Sequence, residues 1–224
     1  LQSRGLGDVY KRQVADQVLS ADFAPQNAPI GYWSRQYAYD KANIVSHADA
    51  FSKGMKSAGV LTTAKHFPGL GAVTGNTDIS AGVRDSQTNP KSESVQIFKE
   101  LISSGVPSIM TATAIYDQID PELPGAFSPK MVDGLLRNQL GFDGLVITDD
   151  LSNAVQVQAW SPGQRAVLAL AARNDLVLAN EPTQIPEMIS EVLQKAKSDQ
   201  GFAEKINQAS SRVMKVKEQM KLVE

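Results

Sequence analysis

The sequence predicts an α/β fold, a parallel sheet covered by helices. Two observations carry the prediction. From residue 45 onward, short apolar runs alternate with stretches of helical period, and the polar residues gather just after the apolar runs rather than inside them. α/β barrels and open α/β sheets share this signature, and both build their sites on the edge where the strands end.

The elements follow in order. Val45–Ala58 places Val45, Ala48, Phe51, Met55 and Ala58 near one helical face, and Gly59 ends it. "VLTTAKHF" then reads as a short buried strand running into the loop "PGLGAVTGNTDIS". Pro90–Ser104 is a second helix with Val95, Phe98, Leu101 and Ile102 as its stripe, stopped by Gly105. "VPSIMTATAIY" is the next strand, followed by a polar, proline-containing loop. Ser128-Pro129 is a helix start, an N-cap with proline at the first helical position, and that helix runs through Met131, Leu135, Leu136 and Leu140 to Gly141. "GLVITDDL" is a strand, Pro162–Ala172 a helix and "DLVLAN" a strand; two amphipathic helices at 185–198 and 202–221 follow. The polar residues after the strands are Lys65 and His66, Thr111 and Thr113, and Asp149 and Asp150. They are expected to face one another across one mouth.

Bulk properties exclude several classes. Of 224 residues, 42% are hydrophobic and 21% charged, enough for a sizeable core, and the net charge of −2 without a basic block argues against a nucleic-acid partner. Cysteine is absent, which removes disulfides and thiolate metal sites. No apolar run approaches a membrane span. Residues 1–13, "LQSRGLGDVYKRQ", are polar, lack the apolar core of a signal peptide and are expected to be non-native sequence, so the domain is assigned to 14–224.

The residues at the mouth suggest chemistry. Neighbours at a strand end point in different directions, so of Asp149 and Asp150 one faces the site while the other caps the next element. Asp149 is the candidate nucleophile or base; the alternative is that both carboxylates cap loops. Lys65 and His66 abut Phe67-Pro68-Gly69, whose proline and glycine fix an unusual path of the kind found where side chains must be aimed. Both can donate hydrogen bonds to substrate hydroxyls. A strand-end lysine also suits Schiff-base chemistry, which borohydride trapping on Lys65 would reveal. Arg35 sits in the aromatic turn "IGYWSRQYAYD", where it suits a carboxylate or sugar hydroxyls and where Trp33 and Tyr37 can stack on a sugar or simply pack the loop. Two histidines far apart give no ligand spacing, so no metal is expected.

Three segments together, "IGYWSRQYAYD", "AKHFPGLG" and "GFDGLVITDDLSNA", resemble the family 3 glycoside hydrolases, in particular their β-N-acetylhexosaminidase branch, from about residue 14 to the C-terminus. The resemblance implies a (β/α)8-type barrel, a retaining mechanism through a covalent glycosyl-enzyme, and no cofactor. It maps the nucleophile onto Asp149 after Thr148, and hydroxyl-binding roles onto Lys65, His66 and Arg35. The implied partner is a carbohydrate, a glycan ending in β-linked N-acetylglucosamine of the cell-wall type. An exported or cell-envelope location is favoured by the same likeness. β-Glucosidase or β-xylosidase activity is the alternative within the family, and a non-catalytic sugar-binding protein the alternative outside it.

The sequence departs from the family pattern at one point. Where many members carry Asp-Ser-His after the glycine loop, with the histidine as acid/base, this chain has Asn76, Thr77 and Asp78, and Leu70 replaces the loop's second histidine. Asp78 is therefore the candidate general acid/base, since a carboxylic acid does this work when its pKa is raised near the sugar. The alternative is that it caps its loop through Asn76 and Thr77. Only about five or six of the eight strand–helix units of a barrel are legible. "LSADFAPQNAPIG" resembles the third strand and the loop after it, shortened between Pro25 and Asn27, and the first two strands have no counterpart. An N-terminally truncated barrel is the expectation.

Overall fold

The computed structural model describes residues 15–222; the segment 1–13, expected to be non-native, lies outside them. Four strands form a parallel sheet in the order β1 (Thr63–Phe67), β3 (Ser108–Thr111), β6 (Leu145–Asp150) and β7 (Leu176–Leu178). Thr63 and Ala64 pair with Ser108 and Ile109, which pair in turn with Leu145 and Val146, so the strands end nearly level. The α/β class with a parallel sheet is as the alternating pattern predicts.

Helices α1 (Lys41–Ser57), α2 (Glu93–Ser103), α3 (Lys130–Gln139), α4 (Pro162–Ala171), α5 (Ile185–Ser198) and α6 (Gln200–Gln219) connect and follow the strands. Helix α1 begins four residues before the apolar stripe, because Asp40 caps it by accepting the Asn43 N–H at 3.0 Å. Helix α2 starts at Glu93 rather than Pro90 and buries Val95, Ile97, Phe98 and Leu101. Its Phe98 meets Phe67 of β1 edge to face at 5.2 Å, which fixes the strand end that carries the site. Helix α3 is wound wide, with π-type i→i+5 bonds such as Leu140 N–H to Leu135 O. Ser128 caps it as expected, accepting the Met131 N–H at 3.1 Å while its hydroxyl donates to Asp120.

Two parts of the sequence reading are corrected. The run "VPSIMTATAIY" is not one strand: β3 ends at Thr111, and Ile115–Tyr116 (β4) joins a separate sheet with β2 (Arg84–Asp85) and β5 (Asp120–Pro124). Strand β5 carries two prolines and, among the described residues, pairs only with β4, so the "polar loop" is an edge strand, the place where proline is tolerated. The stretch 19–31, matched to a third strand, is a pair of 3₁₀ turns, Ala24–Gln26 and Gly31–Trp33. The chain that lies beside β1 is instead Ala15–Val18, whose Ala15 N–H donates to Lys65 O at 2.7 Å.

Away from the strand ends, Asp175 is fully buried and accepts from Arg137 (2.7 Å), Arg212 (2.8 Å) and the Val146 N–H (2.8 Å). This cluster ties α3 and α6 to the sheet. It satisfies a buried carboxylate with two cations, the condition under which a buried charge is tolerated.

Candidate active site

Residues Lys65, His66 and Phe67 end β1 and enter a bend in which the Lys65–His66 and Phe67–Pro68 peptide bonds are both cis. The bend is held from beneath. Asp16, with no exposed surface, accepts the His66 N–H (3.0 Å) and the Leu70 N–H (2.8 Å) on Oδ1, and faces His66 Nδ1 at 2.7 Å with Oδ2. A carboxylate is acceptor only, so Nδ1 carries a proton and the imidazole is fixed in orientation. The other ring nitrogen, Nε2, lies 3.8 Å from Asp149 Oδ2. His66 therefore stands between a buried carboxylate and the candidate nucleophile.

Asp149 and Asp150 diverge as alternation along a strand requires. Asp149 is half-buried and faces His66, while Asp150 is buried and accepts from Ser152 N–H and hydroxyl, Asn153 N–H and Asn180 N–H. Burial alone would raise the Asp150 pKa; these hydrogen bonds outweigh it and hold it below the ordinary value. Asp150 is thus a loop-capping carboxylate.

Lys65 is half-buried. Burial and then the Arg35 cation lower its pKa, against the attraction of Asp149, Asp16 and Asp78. Those influences bring Arg35, Asp149 and Asp78 into one electrostatic neighbourhood. Arg35 is itself anchored by donation to Pro29 O at 2.6 Å. Asp78 is exposed at the rim, yet its carboxyl is desolvated enough that burial raises its pKa, with Asp149 adding to the rise and His66 and Arg35 opposing it. Its backbone N–H donates to Asn76 Oδ1 at 2.9 Å, so the Asx turn of the loop-capping alternative is present, but it uses the Asn76 side chain rather than the Asp78 carboxyl.

Other expected residues sit differently. Thr111 is buried and its hydroxyl donates to Asn174 Oδ1 at 2.8 Å, so it serves the core rather than the mouth. Tyr37 packs at the edge of the core, while Tyr32 and Trp33 stay exposed and meet edge to face at 5.0 Å. Among the described residues, no group of acidic or histidine side chains could hold a metal ion.

Two residues that the sequence did not single out prove structural to the site. Asp16 is one; its only sequence signal is a charge inside the apolar run "VADQV". Asn27 is the other, fully buried with every group used: its amide donates to Leu70 O and Val73 O at 2.7 Å each, and its oxygen accepts from Ile30 and Gly31 N–H. It ties the turn leading to Arg35 to the glycine loop after His66.

The chain is similar to known proteins along most of its length. Residues 4–216 match the model of the glycosyl hydrolase family 3 N-terminal domain. The chain is 33% identical over 198 residues to a β-hexosaminidase of Nitrosomonas eutropha, covering 84% of this chain and 56% of that protein. It is 34% identical over 146 residues to a β-hexosaminidase of Vibrio cholerae, covering 65% of this chain and 43% of that one. Among solved structures, the β-N-acetylhexosaminidase of Beutenbergia cavernae superposes with a TM-score of 0.90 at 50% identity, over 91% of this chain and 61% of that one. The chain thus spans about half the length of the curated relatives, 56% and 50% for two of them. With the family model matched along almost its whole length, the chain belongs to the glycosyl hydrolase family 3 N-terminal domain family.

Proposed function

We propose that residues 14–224 form part of a (β/α)8 catalytic barrel, its four-stranded sheet one arc of the barrel wall. We propose further that it acts as a retaining, exo-acting hydrolase of terminal β-linked N-acetylglucosamine. The observation that carries the reading is two carboxyls in one neighbourhood: Asp149, beside His66 Nε2, and Asp78, whose pKa is raised by burial first and by Asp149 next. A carboxyl whose pKa is raised beside a second carboxylate suits the acid of a retaining pair, the other serving as nucleophile. The β-hexosaminidase names of the relatives support the choice of sugar.

In the proposed reaction an Asp149 oxygen attacks the anomeric carbon as the bond to the leaving oxygen breaks, and the Asp78 carboxyl gives its proton to that oxygen. The Asp78 carboxylate then takes a proton from water, which attacks the same carbon and releases Asp149. Lys65, His66 and Arg35 hold the sugar hydroxyls. Asp16 keeps His66 aimed.

Intact-mass spectrometry after incubation with an activated, slow-turnover N-acetylglucosamine donor tests this. One added sugar, mapped to Asp149, is expected. A chain that shows a cooperative thermal transition but gains no sugar would overturn the hydrolase reading.

A further inference from the structure

The loop that carries Asp78 is gripped by the segment that leaves β6 a few residues beyond Asp149. The Val155 N–H donates to Asp78 O at 3.2 Å and the Gln156 N–H to Thr77 O at 3.1 Å. The Gln156 side chain takes hold of the far end of the same loop: Oε1 accepts the Val83 N–H at 2.9 Å and Nε2 donates to Val83 O at 3.1 Å. Gln156 is buried, and the bond spans 73 residues of sequence.

Val83 is pinned from other directions too. The Ile115 N–H of β4 donates to Val83 O at 3.0 Å. The Val83 side chain fills the space beside Gly75, where an added Cβ would stand 2.8 Å from Cγ2. The gripping segment is itself braced by Arg165, buried in α4, which donates to Leu151 O (2.8 Å), Ser152 O (3.0 Å), Trp160 O (2.7 Å) and Gln158 Oε1 (2.8 Å). Rigid backbone contacts therefore run from the nucleophile's strand to the acid's loop, and Gln156 is the side chain that joins them.

We propose that Gln156 is a positioning residue for the proposed reaction, its amide clamp on Val83 fixing the reach of Asp78 over Asp149; the inference rests on the hydrolase reading above. A general acid must come within hydrogen-bond distance of the leaving oxygen, and an error of about 1 Å in such a placement can cost on the order of 100-fold. A primary amide carries both an acceptor and donors, so it can pair with the N–H and the C=O of one residue at once, as a neighbouring strand would. Leucine at this position leaves the Val83 N–H buried and unpaired, and glutamate keeps the acceptor but loses the donor.

The test uses the whole chain as wild type, Gln156→Leu and Gln156→Glu. One readout is kcat/KM on two N-acetylglucosaminides, one with an activated aryl leaving group and one with a sugar or alkyl leaving group that needs protonation. Gln156→Leu is expected to lose about 10- to 100-fold on the unactivated substrate and far less on the activated one, with Gln156→Glu between wild type and leucine. The second readout needs no turnover: the titration of the Asp78 carboxyl followed by 13C NMR. Burial first, then Asp149 and Asp150, push that titration up, while His66 and Arg35 pull it down and Lys65 also faces it. In Gln156→Leu its midpoint is expected to fall towards that of a free aspartate as the carboxyl gains solvent and leaves the Asp149 field. Equal losses on both substrates, or an unmoved Asp78 titration in a folded variant, would overturn the proposal. If wild type turns over neither substrate the hydrolase reading fails, and the titration alone then decides whether Gln156 places Asp78. Should Gln156→Leu fail to fold, Gln156→Glu decides by the same two readouts.

Discussion

Exchanging Asp16 for asparagine should keep the site's shape while moving one proton. In the native chain Oδ1 accepts from two backbone N–H groups, those of His66 and Leu70, and Oδ2 faces His66 Nδ1 at 2.7 Å. The two backbone donors fix which way the new amide points: its oxygen must replace Oδ1, so its NH2 faces Nδ1. Nδ1 must then accept, and only Nε2, 3.8 Å from Asp149, is left to carry the proton. All three bonds change from charge-assisted, about 1.5–3 kcal/mol each, to neutral, about 0.5–1.5; the loss is partly offset because a buried charge is no longer desolvated, so Asp16→Asn should cost about 1–2 kcal/mol. For a chain of this size that is a Tm fall of roughly 2–8 °C. Asp16→Ala instead leaves three buried donors without an acceptor, at about 1–3 kcal/mol each, most of a typical stability of about 5–15 kcal/mol. Urea denaturation of both variants gives the energies, and 15N NMR of His66 gives the tautomer. An asparagine variant as unstable as the alanine one, or one whose Nδ1 remains protonated, would refute the reasoning.

Other consequences are equally open to test. Asp78→Asn should cut kcat by about 10²–10⁴-fold on a substrate that needs protonation, with little change in KM. Because folding raises the Asp78 pKa above its reference of 3.8, the native carboxyl contributes stability below that pH and loses it as pH rises through the folded value. The same variant should therefore be more stable than wild type at neutral pH, and this relative advantage should disappear below pH 3.8 in a Tm-against-pH series. Gly71→Ala puts a Cβ 1.7 Å from Gln17 O, a backbone atom, so the glycine loop must shift; a loss of about 1–3 kcal/mol in denaturant unfolding is expected. Asp175→Ala strands two arginines and the Val146 N–H, and should cost about 3–5 kcal/mol while leaving the activity per folded molecule unchanged.

Local pattern determined the order of strands and helices. Apolar period marks an element wherever its partners lie, and a residue that follows a strand must emerge at the sheet edge; that is why Lys65, His66 and Asp149 were legible as one cluster. Alternation along β6 likewise separates Asp149 from Asp150 by sequence alone. Asp78 was singled out only through the family resemblance, as the acid standing where many members carry a histidine. What tertiary structure alone decided are the supports. Asp16 reaches His66 across 50 residues, Asn27 reaches Leu70 across 43, and Gln156 reaches Val83 across 73. A buried polar side chain is chosen for the donors and acceptors that folding brings to it, and those come from distant segments that no periodicity announces. The second sheet was hidden for the same reason, since two-residue strands such as β2 and β4 are too short to show a period and exist only because their partners arrive. The sequence by itself marked the strand ends that carry Lys65, His66 and Asp149, but not that Thr111 turns into the core; folding set what each of them meets, because hydrogen bonds are paired in space rather than along the chain.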